Sequence, residues 1–200
     1  MPKLSIVVPC YNEEETIPLF YPAVKKVVKQ MPVETEYWFV NDGSSDDTLA
    51  KLRKLHAQDP ERVHYVSFSR NFGKEAGLYS GLQAATGDYV VVMDADLQDP
   101  PEYLPEMYKD ISTGEYDCVG MRRTDRKGEA KFKSFLSNQF YNVINKISDT
   151  KIVSGARDYR MMTRQMVDAV LSLTEYNRFS KGIFIGKVFS LKTNPIKNSL

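Results

Sequence analysis

The chain has 200 residues, 42% hydrophobic and 12% aromatic, enough for one domain that buries roughly 70% of the surface its unfolded form would expose. Lysine and arginine number 27 against 26 acidic residues, so no global basic field exists to hold a nucleic acid, and any polyanion site has to be local. Two cysteines, Cys10 and Cys118, make neither a disulfide framework nor a metal-ligand spacing, which fits a reducing cytoplasm.

The opening MPKLSIVVPCYNEEE carries one lysine, a short apolar stretch and then three glutamates. That pattern predicts a first strand over residues 4–8 rather than a secretory signal, with Glu14 and Glu15 beginning a helix. Apolar runs at 37–40, 64–68, 89–93 and 117–121 predict four more strands, each separated by a helical period, as in β-α units that build a parallel sheet. The run at 89–93 is the longest uninterrupted one and falls far short of the ~18 residues of a bilayer span.

Ser45 is placed to cap a helix with Asp46 and Asp47 in its first turn and Leu49, Leu52 and Leu55 along one side. Gly73, Gly77, Gly81 and Ala84 form a small-residue stripe that lets a helix sit close on a sheet, and Gly87 ends it. The spacing is not that of a G-x-G-x-x-G phosphate loop. Asp99 and Glu102 resemble a capping box around Pro100, followed by Leu104, Met107 and Ile111.

Residues 122–133 hold six basic and two acidic side chains and lead into an amphipathic stretch with Phe132, Phe135, Leu136, Phe140, Val143, Ile144 and Ile147 on one side. Two readings stand: a helix packed on the sheet with a solvated basic edge, or one that also touches a membrane surface. The Asn/Lys/Ser-rich tail, 191–200, is expected to be loosely structured, leaving 1–190 as a single domain.

In open α/β sheets ligands sit at the carboxyl ends of the strands. Strand one exits into Pro9, Cys10, Tyr11, Asn12 and Glu13, the second into Asn41, Asp42, Gly43 and Ser44, the third into Ser69, Arg70 and Asn71, and the fourth into Asp94, Ala95, Asp96, Leu97, Gln98 and Asp99. From Asp94 to Asp110 six acidic residues face one lysine, crowding that a cation would relieve. Two carboxylates one residue apart at a strand end offer the hard oxygen ligands that Mg²⁺ or Mn²⁺ prefers, with positions left for water and phosphate. Asp42 could accept from the N–H edge of a base. Lys74 reaches this cleft or stays at the surface; His56 and His64 have no ligand spacing and read as packing or surface residues.

The segments VVPCYNEEE, VNDGSSDDT, SRNFGKEAGLYSGLQAATGDYVVVMDADLQDPPE, SGARDYRMMTR and YNRFSKGIF resemble glycosyltransferase family 2, and within it the polyprenyl-phosphate sugar transferases of the dolichyl-phosphate mannose synthase and bactoprenol glucosyltransferase group. The resemblance runs from residue 4 to about 185. It implies an α/β GT-A fold, Rossmann-like with a mostly parallel sheet, and inverting transfer of a hexose from a UDP- or GDP-sugar with Mg²⁺ or Mn²⁺ as cofactor. Carried over by position, Pro9, Tyr11, Glu13 and Asp42 would hold the nucleoside, with Asp94 and Ala95 beside its ribose and diphosphate. Asp96, with Gln98 behind it and Asp94 close by, would ligate the metal. Arg122 would contact phosphate, Arg123, Arg126 and Lys127 would form a basic mouth for a lipid phosphate, and Asp158 would be the acid near the acceptor. Asp158 also has a plainer reading, a cap or a partner of Arg157 or Arg160.

The acceptor implied is an undecaprenyl- or dolichyl-type phosphate at the cytoplasmic face of a membrane, reached through the lipid surface or a membrane partner protein, with a homo-oligomer left open. A sugar hydroxyl acceptor and a nucleotide-sugar-binding module without turnover remain the alternatives. After Phe184 the chain reads IGKVFSLKTNPIKNSL, departing from the Gly-x-Ser-Lys segment and the membrane part that family members carry.

Overall fold

A computed structural model describes residues 1–123, 156–172 and 190–196. Seven strands form one sheet in the order β3-β2-β1-β4-β6-β5-β7. β1 (Lys3–Cys10), β2 (Glu34–Asn41), β3 (Val63–Ser67) and β4 (Tyr89–Val92) are mutually parallel. β6 (Ala156–Thr163) runs antiparallel between β4 and β5 (Cys118–Arg123), and β7 (Leu191–Ile196) lies parallel to β5 at the edge. The helices are α1 (Ile17–Val28), α2 (Thr48–Gln58), α3 (Lys74–Ala84), α4 (Leu104–Ile111) and α5 (Arg164–Ser172), with a short 3₁₀ turn at Pro101–Tyr103.

Strand alternation sends side chains to two cores. Leu4, Ile6, Val8, Phe39, Val91 and Met93 pack under α1, α2 and α4. Val7, Val90, Val92 and Met162 pack under α3 and α5. This is the two-sided burial that a parallel sheet requires. Because β2 lies on one side of β1 and β4 on the other, the chain reverses its winding direction at β1. A crevice opens at such a switch point, beyond the carboxyl ends of the two strands.

The small-residue stripe does what its spacing predicts. A β-carbon on Gly81 would stand 2.4 Å from Val7 Cγ1, and one on Gly77 would be 3.7 Å from Pro9 Cβ, so α3 rests directly on β1 and β2. Gly87 lies beyond the helix, where a β-carbon would meet Lys3 O at 2.7 Å.

Several local expectations need correction. The tail was expected to be loose from residue 191, yet Leu191–Ile196 forms β7. Lys192 pairs with Asp110 at 2.8 Å, and Asn194 Nδ2 donates to Asp110 at 2.6 Å and to Glu106 at 3.2 Å; these partners come from α4, far away in sequence. β6 escaped the reading because Arg157, Asp158 and Arg160 interrupt its apolar pattern. α2 starts at Thr48, not after Ser45; Asp46 accepts from Thr48 N at 3.0 Å and from Glu14 N at 3.2 Å, tying the turn to the β1 exit. The predicted box at Asp99 does not form either: Pro101 begins the 3₁₀ turn and Asp99 is buried, its Oδ2 3.4 Å from Asp94 N. Among the described residues no helix is long and apolar enough to cross a membrane.

Candidate active site

A cavity of about 340 Å³ opens at the switch point between β1 and β4. Pro9, Cys10, Tyr11 and Glu13 from β1 and its exit line one side, Asp94, Ala95 and Asp96 from the β4 exit another, and Asp42, Asn71, Gly73, Lys74 and Gly77 complete it. Every residue that the resemblance assigned to the nucleotide sugar therefore borders one space. Of the expected metal residues Asp94 and Asp96 line it, whereas Gln98 does not; the Gln98 backbone N–H donates to Asp96 Oδ1 at 3.0 Å across a turn in which Leu97 has φ 57°. A left-handed leucine is uncommon, and here it folds the chain back so that Gln98 braces Asp96.

Asp42 is buried and accepts from Phe72 N at 2.7 Å and Gly73 N at 2.9 Å. It thus fixes the loop before α3, while each of its oxygens keeps a second acceptor position. Gly43, with φ 65°, lets the β2 exit press against the Arg70 backbone, where a β-carbon would stand 2.2 Å from the carbonyl carbon. Asn12, also left-handed at φ 57°, accepts from Ser45 N at 2.9 Å, and its own N–H donates to Ser44 Oγ at 3.0 Å. Two exits, from β1 and β2, are knitted into one rim. Cys10 is buried at the floor, and burial together with the Glu13 and Asp94 charges pushes its thiol far up. It stays a neutral packing group.

Asp158 arrives from β6. Val92 on β4 pairs with Arg160 on β6 in antiparallel register, and two further residues along that register set Asp94 opposite Asp158. Lys74, at the first turn of α3, closes the pair: its Nζ is 2.7 Å from Asp94 Oδ1 and 2.9 Å from Asp158 Oδ2. Burial alone would lower the lysine pKa, but the hydrogen bonds to Asp94 and Asp158 outweigh it and leave it raised. Arg160, largely buried, stands 3.6 Å from the other Asp158 oxygen, so the plainer Arg160 partnership holds alongside the cleft position. Tyr159, fully buried, donates its hydroxyl to Pro100 O at 3.1 Å and anchors β6 to the β4 exit loop.

Lys74 is the residue whose importance sequence reasoning left undecided; its position directly after the Gly73 helix start was the available signal. The Asp42 clamp on residues 72 and 73 was not foreseen. Arg122 and Arg123 close β5, but their side chains, with Arg126 and Lys127, lie outside the described residues.

The donor set fits a hard divalent ion. Among the described residues no group of three or more His, Cys, Asp or Glu side chains gathers to cage a metal; two carboxylates, Asp94 and Asp96, border the cavity. Such a partial set suits an ion that completes its shell with water and phosphate oxygens, as Mg²⁺ does at phosphate sites. The N-terminus of α3 borders the same space through Gly73 and Lys74 and adds partial positive charge for an anion.

The chain is similar to known proteins. CsbB of Bacillus subtilis (strain 168) is 45% identical over 181 residues, 90% of this chain and 54% of that protein. The bactoprenol glucosyl transferase of Shigella phage SfX is 43% identical over 181 residues, 90% of this chain and 59% of that protein. The chain therefore spans little more than half the length of these relatives. Among solved structures, the mannosyltransferase PcManGT of Pyrobaculum calidifontis, in complex with GDP-Man and Mn²⁺, superposes with a TM-score of 0.64 at 21% identity, covering 97% of this chain and 55% of that one. Glucosyl-3-phosphoglycerate synthase of Mycobacterium tuberculosis, with Mn²⁺, UDP-Glc and phosphoglyceric acid, gives a TM-score of 0.60 at 20% identity, covering 97% and 69%. These likenesses establish the GT-A fold. The sequence pattern of the family described as glycosyl transferase family 2 matches residues 5–171, a span that includes β1, β4 and β6, whose ends build the cleft, and the chain belongs to that family.

Proposed function

We propose that the chain is the catalytic part of an inverting, metal-dependent glycosyltransferase that moves a hexose from a UDP- or GDP-sugar to a polyprenyl phosphate at the cytoplasmic face of a membrane. The observation that carries this reading is the meeting of Asp94 and Asp158 through Lys74 at the edge of a cavity lined by the β1 and β4 exits. One acid belongs to the side expected to take the donor, the other to the side expected to take the acceptor. The relative named as a bactoprenol glucosyl transferase supports the lipid phosphate acceptor, and the two solved neighbours in complex with GDP-Man or UDP-Glc and Mn²⁺ support the donor class and the cation.

In the reaction, a phosphate oxygen of the acceptor attacks the anomeric carbon from the face opposite the leaving group. The bond from that carbon to the diphosphate oxygen breaks, and the nucleoside diphosphate leaves with the electron pair. Asp94 and Asp96 would hold a divalent cation, which when bound would neutralise the charge that grows on the departing diphosphate. The chain's own residues position the partners. Asp42 holds the rim through Phe72 and Gly73; Pro9, Tyr11 and Glu13 line the side where the nucleoside would sit, and the start of α3 borders the side where the phosphates would lie.

A hydroxyl acceptor needs a general base to take its proton, whereas a phosphate acceptor does not. A lipid monophosphate, with a second pKa near ~6 if it behaves as a phosphoprotein ester, arrives already largely deprotonated. The test is a transfer assay with UDP-glucose, UDP-galactose and GDP-mannose against undecaprenyl phosphate and against free sugar acceptors. Transfer to the lipid phosphate supports the reading. Transfer confined to sugar hydroxyls, or nucleotide-sugar binding with no transfer or hydrolysis, overturns it. Membrane attachment through the basic stretch 122–133 predicts flotation with anionic liposomes at low salt; complete absence from the lipid fraction removes that attachment.

A further inference from the structure

The cleft already contains a cation of its own. One ammonium, Lys74 Nζ, lies 2.7 Å from Asp94 Oδ1, 3.0 Å from Asp94 Oδ2 and 2.9 Å from Asp158 Oδ2. The three side chains remain 41%, 39% and 35% exposed in the order Lys74, Asp94, Asp158, so a ligand in the cavity can reach the bridge. Lys74 is held in place at its root, since Gly73 before it is fixed by Asp42 and the residue opens α3. Its four-carbon stem leaves the ammonium free to turn.

Among the described residues, Asp94, Asp96 and Glu13 line the cavity with Lys74, and Asp158 shares the lysine and also pairs with Arg160. A divalent ion that enters alone has to take Asp94 from an ammonium already bound to it, or sit beside that positive charge. A diphosphate that enters first offers the ammonium a more strongly charged partner.

Resting on the reading that Asp94 and Asp96 hold the cation of a nucleotide sugar, we infer that Lys74 is a positioning residue that couples cation binding to diphosphate binding. Its ammonium bridges the two acids where the ion would bind. When the diphosphate arrives, the ammonium turns to the phosphate, leaving Asp94 to the ion and Asp158 to the acceptor. The coupling is reciprocal, because each ligand improves the affinity of the other by the same factor.

Mn²⁺ binding followed by electron paramagnetic resonance of the free ion, with and without UDP or GDP, tests this on the full chain as wild type, Lys74→Gln and Lys74→Arg. Removing a unit charge beside a partly exposed divalent site should change its affinity by roughly tenfold. Lys74→Gln is expected to bind Mn²⁺ alone several-fold tighter than wild type, while the extra tightening caused by the nucleotide shrinks by about tenfold. Lys74→Arg, which keeps the charge, should restore most of the coupling. Unchanged or weaker Mn²⁺ binding by Lys74→Gln, with the nucleotide effect intact, overturns the inference and leaves the cation reading standing. A uniform loss of both affinities with a lowered melting temperature also overturns it, assigning Lys74 a structural role. Absence of Mn²⁺ binding by the wild type, even with UDP and GDP, overturns the cation reading itself, so the two failures are distinguishable.

Discussion

Gly43 meets a requirement that no other residue type satisfies: φ is 65°, and a β-carbon would stand 2.2 Å from the Arg70 carbonyl carbon. Gly43→Ala should cost about 2–4 kcal/mol, read by urea denaturation, from left-handed strain plus a backbone clash that cannot relax. Nucleotide affinity should fall with it, because the neighbouring Asp42 fixes the rim. In the cleft itself, Asp96→Ala should slow transfer more than Asp158→Asn, measured at saturating Mn²⁺, since the first removes a cation ligand and the second leaves a side chain of the same shape; equal losses would contradict the division of roles. At this scale the sequence made much of the site readable. The family resemblance picks Pro9, Tyr11, Glu13, Asp42, Asp94, Ala95 and Asp96 out of the strand exits, and all seven border the cavity. Gln98 and Lys74 were harder, because which way a side chain turns from a loop or a helix start depends on neighbours brought by other strands. Gln98 falls outside the lining, and Lys74 falls within it.

Elements formed where local pattern and tertiary burial agreed. The apolar runs of β1, β2 and β4 were visible because these strands bury both faces or nearly so, and that of β3 because its β-branched and aromatic residues are buried or half-buried at the sheet edge. β6 and β7 were not, because their stability comes from partners far away in sequence: Tyr159 on Pro100, and Lys192 and Asn194 on Asp110. Removing residues 191–200 should therefore uncover the β5 edge and lower the melting temperature, with increased aggregation on heating; an unchanged transition would show that β7 contributes nothing to the sheet. The α3 stripe gives a sharper test of helix docking. Gly81→Ala places a methyl 2.4 Å from Val7 Cγ1 and 3.2 Å from Val40 Cγ2, and overpacking of this kind costs about 1–3 kcal/mol. A substitution at Gly77, where the closest atom is 3.7 Å away, should be milder by the same measurement.

Across the whole molecule, the ends of the parallel strands divide the labour. The carboxyl ends hold the cleft, and the amino ends hold a polar clamp that joins β1, β2 and the loop before β4. Buried Glu36 on β2 accepts from Ser5 Oγ at 2.6 Å and Thr86 N at 2.7 Å and pairs with Lys3 at 2.6 Å. Burial would raise its pKa, but these partners outweigh it and bring it down from 4.5 to about 2. A depressed carboxyl adds stability above its unfolded pKa and loses it as pH falls through the folded value. Unfolding free energy should hence drop between about pH 5 and pH 2 by about 3 kcal/mol from this group. Glu36→Gln should lose a comparable amount at neutral pH and flatten the acid limb; an unaltered acid limb would contradict the clamp.

If the two aspartates leaving β4 gather a divalent ion against a nucleoside diphosphate, crystals grown with UDP or GDP and Mn²⁺, recorded at a wavelength where manganese scatters anomalously, should show an anomalous peak between the Asp94 and Asp96 carboxylates and the diphosphate, with Lys74 turned from Asp158 toward a phosphate. A nucleotide bound in the cavity with no ion at those carboxylates, or an ion held elsewhere, would contradict it.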